Sequence, residues 1–145
     1  MNKNDKMLKE VIDLINRMKS TRPLVECLTN RVTINDCANM LLAMGASPIM
    51  AEIECEMEEI MNISSALVIN LGLLDGTYLS AMKTAAEAAK RLGKPIVLDP
   101  VGAGASKLRD ETCREMIELT KPDIIRGNMS EIRRQYKQQR CRRVR

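Results

Sequence analysis

The sequence predicts an α/β protein built on a doubly wound, largely parallel sheet, and three observations lead there. Short apolar runs alternate with helical stretches along most of the chain. The runs are continuous rather than alternating apolar with polar, as suits strands covered on both faces. Polar residues gather where the runs stop, which is the edge where open parallel sheets bind ligands.

Taken in order, residues 4–19 form an amphipathic helix, with Met7, Leu8, Val11, Leu14, Ile15 and Met18 at three- and four-residue steps. Pro23 follows, and a run from Leu24 to Leu28 ends at Thr29-Asn30. Thr33 is placed to cap a helix through Met44, which Gly45 closes. Pro48 to Ala51 is a weak strand, and Glu54 to Met61 is acidic and helical. Ala66 to Leu71 is a strong strand stopped by Gly72. Asp75 caps an Ala-rich helix to Leu92, with Gly93 and Pro95 as stop signals. Strand Ile96–Leu98, helix Leu108–Leu119 and strand Ile124–Ile125 follow, and the chain turns helical again from Met129. Behind a leading helix this is a βαβαβαβαβ alternation, which right-handed crossovers wind over both faces of one sheet.

Composition narrows the possibilities. Apolar residues make up 45% of the 145, enough for a core, but there is no Phe and no Trp. Eleven Met help to fill it and adapt its shape. No run approaches the roughly 18 apolar residues of a membrane span. The start, MNKNDKMLKE, has no apolar signal-peptide core, so the expected location is the cytoplasm. Five Cys at scattered spacings do not suggest a disulfide framework or a zinc site, and read as small buried hydrophobes. The absence of His removes Ser-His-Asp and Cys-His catalysis, leaving acid–base work to carboxylates, Lys or Cys. The net charge is +4, yet RRQYKQQRCRRVR at 133–145 holds seven cations and no acid, so residues 1–132 sum to −3. That tail lacks interleaved aromatics beyond Tyr136, and nucleic-acid binding through it is disfavoured.

The most informative segment is PIVLDPVGAGASKLRDETCREMIELTKPDIIRGNMSE, from Pro95 to Glu131. The Gly102-Ala103-Gly104 turn precedes a helix and offers a close approach to phosphate; the alternative is a plain strand-to-helix turn. Neither GxGxxG nor GxxxxGK[ST] is present. Asp99 is a candidate for holding Mg²⁺ or moving a proton, against a turn or capping role. Arg126 suits phosphate through its planar guanidinium, against a salt bridge to a neighbouring carboxylate. Glu131, three residues past Asn128, could with it position metal-bound water, against a solvated helix position. Asn30 and Asn70 either tie down loop backbone or line a pocket. Met50 is either core or a ligand contact. Glu52, Glu54, Glu56, Glu58 and Glu59 read as a solvated helix face.

These motifs carry a resemblance. PLVECLTNRVTINDCANMLLAMGASPIMAE at 23–52, ALVINLGLL at 66–74, PIVLDPVGAGAS at 95–106 and IIRGNMSEI at 124–132 stand in the order and spacing of one family. From about residue 8 to 132 the chain resembles the N-terminal half of hydroxyethylthiazole kinases, thiamine-salvage enzymes of the ribokinase-like superfamily. The resemblance implies phosphorylation of the hydroxyl of 4-methyl-5-(2-hydroxyethyl)thiazole with ATP and Mg²⁺, by a homotrimer with active sites between subunits. It implies that Met50 contacts the thiazole largely through its backbone and that Asn30 lines the same pocket. It implies Arg126 as the ATP phosphate ligand with Asn128 beside it, and Asp99 and Glu131 as the acidic groups around Mg²⁺. Phosphoryl transfer needs charge neutralisation and alignment more than covalent chemistry, which fits such a set.

Two departures stand out. Where the family usually has His, this chain has Glu26. The family's C-terminal half, with a nucleotide-binding Thr, a Gly-rich anion hole and a Cys beside the reacting hydroxyl, has no counterpart here, and no Cys of this chain matches that catalytic Cys. The expectation is therefore a truncated or frameshifted chain. Residues 1–132 would be the N-terminal half of a kinase domain, and 133–145 a disordered or aberrant basic tail. Such a chain would be inactive alone, the rival reading being a non-catalytic binding or oligomerisation fragment.

Overall fold

The computed structural model describes residues 2–142. Its elements are α1 (Lys3–Thr21), β1 (Leu24–Leu28), α2 (Ile34–Met44), β2 (Ser47–Ile49), a 3-10 turn (Glu54–Glu56) leading into α3 (Met57–Ile63), β3 (Ala66–Asn70), α4 (Gly76–Arg91), β4 (Ile96–Asp99), α5 (Lys107–Thr120), β5 (Ile124–Ile125) and α6 (Met129–Arg142). The alternation read from the sequence is the alternation found.

The five strands form one sheet in the order β2-β1-β3-β4-β5, every neighbouring pair parallel. From β1 the chain steps to one side for β2, then crosses back to β3 on the other. The strand order thus reverses between β1 and β3, and the carboxyl ends of these strands flank the crevice such sheets use for ligands.

Two apolar layers hold the sheet. Leu28, Leu67, Ile69 and Leu98 point to one side, where they pack with Met57 and Met61 of α3, Met82 of α4, and Cys113 and Met116 of α5. Ala81, Ala85, Ala86, Ala88 and Ala89 are all buried in this layer, so α4 can lie close against its neighbours with little side-chain entropy lost. On the other side Val25, Cys27 and Ala46 pack with Met18, Leu41, Met50 and Val68. The second layer is thinner. Met7, Leu8, Val11, Ile12 and Leu14 of α1 stay exposed, because of the apolar positions expected to face a core only the last, Met18, reaches the second layer.

One local expectation differs in detail. Thr33 does stand before α2, but its hydroxyl makes no cap; it lies 3.1 Å from Asn30 Oδ1 and 3.1 Å from Thr29 Oγ1 instead. Beyond Ile132 the backbone of residues 133–142 continues α6 to Arg142. The run from Met129 to Arg142 contains no Gly or Pro and many strong helix formers, so high charge does not prevent a helix. Residues 143–145 of that tail lie outside the described residues. Asp75 caps α4 as expected, accepting the Thr77 backbone N–H at 3.0 Å.

Candidate functional site

A polar chain crosses the carboxyl ends of the strands. Asn30, just past β1, donates through Nδ2 to Asn70 Oδ1 at 3.3 Å. Asn70, the last residue of β3, donates through Nδ2 to Asp99 Oδ2 at 3.4 Å. Asp99 ends β4 directly beside Asn70 in the parallel register. Its Oδ2 also meets Arg126 Nη2 at 3.2 Å. Arg126 follows β5 and is tied to the sheet by its backbone N–H, which donates to the Leu98 carbonyl at 3.0 Å. Four residues from four strand ends therefore stand in one line over the switch point.

Each end is fixed locally. Asn30 Oδ1 accepts from the backbone N–H of Val32 at 3.1 Å and of Thr33 at 3.0 Å, so this side chain ties down its loop and reaches Asn70 at once. Gly72 is required by closeness: a Cβ there would lie 2.8 Å from Asn70 Oδ1 and 2.9 Å from Asn30 Nδ2. Arg109 of α5 binds two loops together. Its Nη1 donates to the carbonyls of Leu71 at 3.0 Å and Val101 at 3.2 Å, and its Nη2 to that of Gly72 at 3.2 Å. Sequence reading missed Arg109; its position in the first turn of the helix after the glycine turn was the available signal.

Asn128 and Glu131 join the site through a different chemistry from the one expected. Asn128 caps α6: its Oδ1 accepts from the Glu131 backbone N–H at 3.0 Å, and its own N–H donates to Glu131 Oε2 at 2.9 Å. This is a reciprocal capping box. The other Glu131 oxygen, Oε1, accepts from Gly102 N–H at 2.9 Å. Both oxygens of this buried carboxylate are thus committed to backbone donors. The Gly102–Gly104 turn is similarly occupied. Gly104 N–H donates to Asp110 Oδ1 at 2.8 Å, and Arg134 of α6 closes on Asp110 Oδ2. Gly102, at φ +77°, adopts a backbone that other residues rarely take, and a Cβ there would meet Arg109 Cδ at 2.8 Å.

Electrostatics separate the carboxylates. Burial raises the pKa of Asp99 above the usual carboxylate value; Arg126 pulls it down and Glu131 pushes it up. Asp110 is held below its usual value, chiefly by its hydrogen bonds to the Arg134 guanidinium. Among the described residues no group of three or more Cys, Asp or Glu could hold a metal. For Mg²⁺, which keeps several waters and needs one or two carboxylates, Asp99 fits: both of its contacts fall on Oδ2. Each Glu131 oxygen already accepts one backbone N–H, from Gly102 and from Asn128.

Met50 follows β2 and packs, partly buried, against the second apolar layer. Beside it in the sheet, Glu26 pairs with Ile49. Glu26 is fully buried and neither carboxylate oxygen has a hydrogen-bond partner. Burial pushes its pKa up to about 8, with Glu56 adding to the rise; the Ala51 backbone N–H opposes it from outside hydrogen-bonding geometry. Of the described cysteines, burial raises the thiols of Cys27 to about 12 and Cys113 to about 11, so neither offers a thiolate. Cys37 is half-buried and Cys55 exposed, contrary to the expectation that all are buried, and the Cys141 side chain lies outside the described residues. The acidic stretch is solvated as expected at Glu58, which pairs with Arg91 at 2.6 Å on the surface. A groove of 780 Å³ lined by Glu52, Glu54, Cys55 and Glu58 contains none of the six residues singled out for ligand binding.

Comparison with known proteins gives the family of the chain. The chain matches the model of the hydroxyethylthiazole kinase family over residues 15–144. This chain belongs to the hydroxyethylthiazole kinase family. A hydroxyethylthiazole kinase of Methanobrevibacter smithii is 47% identical over 133 residues, which are 92% of this chain and 46% of that protein. One from Clostridium beijerinckii is 50% identical over 120 residues, covering 83% of this chain and 44% of its own length. A solved structure of the hydroxyethylthiazole kinase protein from Pyrococcus horikoshii OT3 superposes with a TM-score of 0.83 at 47% identity, over 87% of this chain and 49% of that one. The chain spans about half the length of the curated relatives it matches. The family match runs through the basic stretch that begins at Arg133. No helix among the described residues is long and apolar enough to cross a membrane.

Proposed function

We propose that this chain supplies one side of a site that phosphorylates the hydroxyl of 4-methyl-5-(2-hydroxyethyl)thiazole with ATP. The observation that supports it best is the line Asn30–Asn70–Asp99–Arg126 across the switch point of a sheet from a kinase family. Asn30 and the Met50 backbone face the thiazole. Arg126 takes the ATP phosphates. Its side chain is more than half exposed, so it can exchange the Asp99 carboxylate for a phosphate oxygen at small cost. Asp99, freed of Arg126, holds the cation. A bound Mg²⁺ would neutralise charge on the phosphate oxygens. Asn70 keeps Asp99 oriented throughout, and Asn128 and Glu131 fix the start of α6 behind Arg126.

Because Asp99 is raised by burial, cation binding strengthens as pH rises through its titration. The residues that would complete catalysis belong to the half of the relatives that this chain does not span. We therefore expect the 145-residue chain to bind Mg·ATP without turning it over. Calorimetry with Mg·ATP and a coupled assay for ADP release test this. Replacing Arg126 with Ala should weaken Mg·ATP binding about 10- to 100-fold, the value of a hydrogen bond to a charged group. Unchanged affinity would remove Arg126 from the phosphate site, and turnover by the purified chain would overturn the division of labour. A second reading, a non-catalytic association module, draws on the exposed apolar face of α1. Sedimentation of the purified chain as a monomer at all concentrations would count against it.

A further inference from the structure

We propose that Glu26 is a positioning residue for the Met50–Glu52 segment, a carboxyl kept protonated beneath that segment whose ionisation displaces it and weakens binding there. The proposal rests on the reading of the Met50 backbone as a thiazole contact. Its geometry stands apart from that reading.

Glu26 lies in the middle of β1, between Ile49 of β2 and Leu67 of β3, so its backbone is locked in the ladder on both sides. Strand alternation sends its side chain to the same face as Leu28, away from Val25 and Cys27. That face is the first apolar layer, filled from α3 by Met57 and Met61. The groups that act on the carboxyl are few. The 3-10 turn brings Glu56, of the same sign. From α4 comes the Tyr78 phenol, whose O–H is spent on the Thr29 carbonyl at 2.7 Å. Glu52 acts on the same phenol, and Cys27 is the sequence neighbour on β1. No cation acts on Glu26 from any of these elements. Both oxygens are orphaned, and the single donor that stabilises the charged form is the Ala51 backbone N–H.

A fully buried carboxylate cannot remain bare of donors. When the proton leaves, either the Ala51 amide closes on the carboxylate or water enters between β1 and the segment. Each outcome moves Ala51, and Ala51 is the residue bonded to Met50. The neutral acid makes no such demand. Burial and Glu56 together place the midpoint near 8, so the segment stays seated at neutral pH and shifts above it.

The test is an NMR titration of the 145-residue chain from about pH 6 to about pH 10, following the Glu26 side-chain carbonyl carbon and the amides of Met50–Glu52. Expected is one shared midpoint near 8 for the Glu26 carboxyl and the Ala51 amide, with the amide response gone in Glu26→Gln. Affinity for 4-methyl-5-(2-hydroxyethyl)thiazole should fall about tenfold per pH unit above the midpoint in the native chain and stay level in E26Q. A Glu26 carboxyl that titrates in the ordinary carboxylate range overturns the proposal without any variant. So does an Ala51 response that survives in E26Q. A shared midpoint with no thiazole binding at any pH upholds the coupling of Glu26 to Ala51 and overturns the reading of Met50 as a substrate contact.

Discussion

The carboxyl ends of β1 and β2 and those of β4 and β5 belong to one sheet edge but treat buried acids in opposite ways. At β4 and β5, each of Asp99, Glu131 and Asp110 has backbone or guanidinium donors. At β1, neither oxygen of Glu26 has a hydrogen-bond partner. The first arrangement holds its carboxylates in place through donors, and at Asp110 those donors keep the pKa below its usual value. The second makes an acid that keeps its proton. The fold is the same on both sides; what differs is the donors within reach of each acid.

Several substitutions would break or sharpen that contrast. The largest effect is expected from Glu131→Ala, which leaves the Gly102 and Asn128 N–H groups without an acceptor and opens the α6 cap. A loss of about 2–4 kcal/mol in urea unfolding is expected. A loss below about 0.5 kcal/mol would mean that these partners matter little to stability.

Glu26→Gln should act in the other direction. Its carboxyl rises from an ordinary 4.5 to about 8 on folding, so the folded chain binds that proton more tightly than the unfolded one. The contribution to stability is full below 4.5, is lost as pH rises to about 8, and is a constant penalty above. The amide variant removes the penalty but buries an unpaired amide, leaving a net gain of about 1–3 kcal/mol at alkaline pH. Thermal melts of the two proteins across that interval should diverge with rising pH; parallel curves would show that Glu26 is not the titrating group.

Gly102→Ala adds a Cβ against Arg109 at a left-handed backbone position. About 1–2 kcal/mol of destabilisation is expected by denaturant melt, all of it confined to the partnered side of the edge. The smallest change in stability should come from Asp99→Asn. Asn70 can still donate to the side-chain oxygen, and the loss of a half-exposed ion pair costs about 1 kcal/mol or less. The same variant should abolish measurable Mg²⁺ dependence of ATP binding, which separates a structural acid from one that holds a cation.

Much of this was legible in the sequence, and the misses have physical causes. The strands from Leu24 to Ile125 could be read because continuous apolar runs between helices have few other interpretations. Strand order could not, since nothing local says that β1 lies between β2 and β3. Asp99 and Arg126 each had two readings, and the structure joins two of them, because Arg126 is paired with the very acid proposed to hold the cation. Asn128 and Glu131 show that one spacing can carry two roles. A separation of three residues suits shared metal waters, and it is also the capping-box spacing, which the helix start uses. Composition along the tail says nothing of partners, and the pairing of Arg134 with Asp110 on α5 could not be read from it. The orphaned state of Glu26 depends on what α3, α4 and Ala51 fail to offer, and no pattern along β1 announces that.

At the glycine turn after β4 the chain competes with any ligand. Its two amides, from Gly102 and Gly104, point at carboxylates donated by α6 and α5, so the chain carries its own substitute for a bound anion. Any nucleotide phosphate that reaches this turn must evict Glu131 or Asp110 before it can use those amides. Eviction would uncap α6 or release Arg134, which turns occupancy of a loop on one strand end into a change in the anchoring of the last helix.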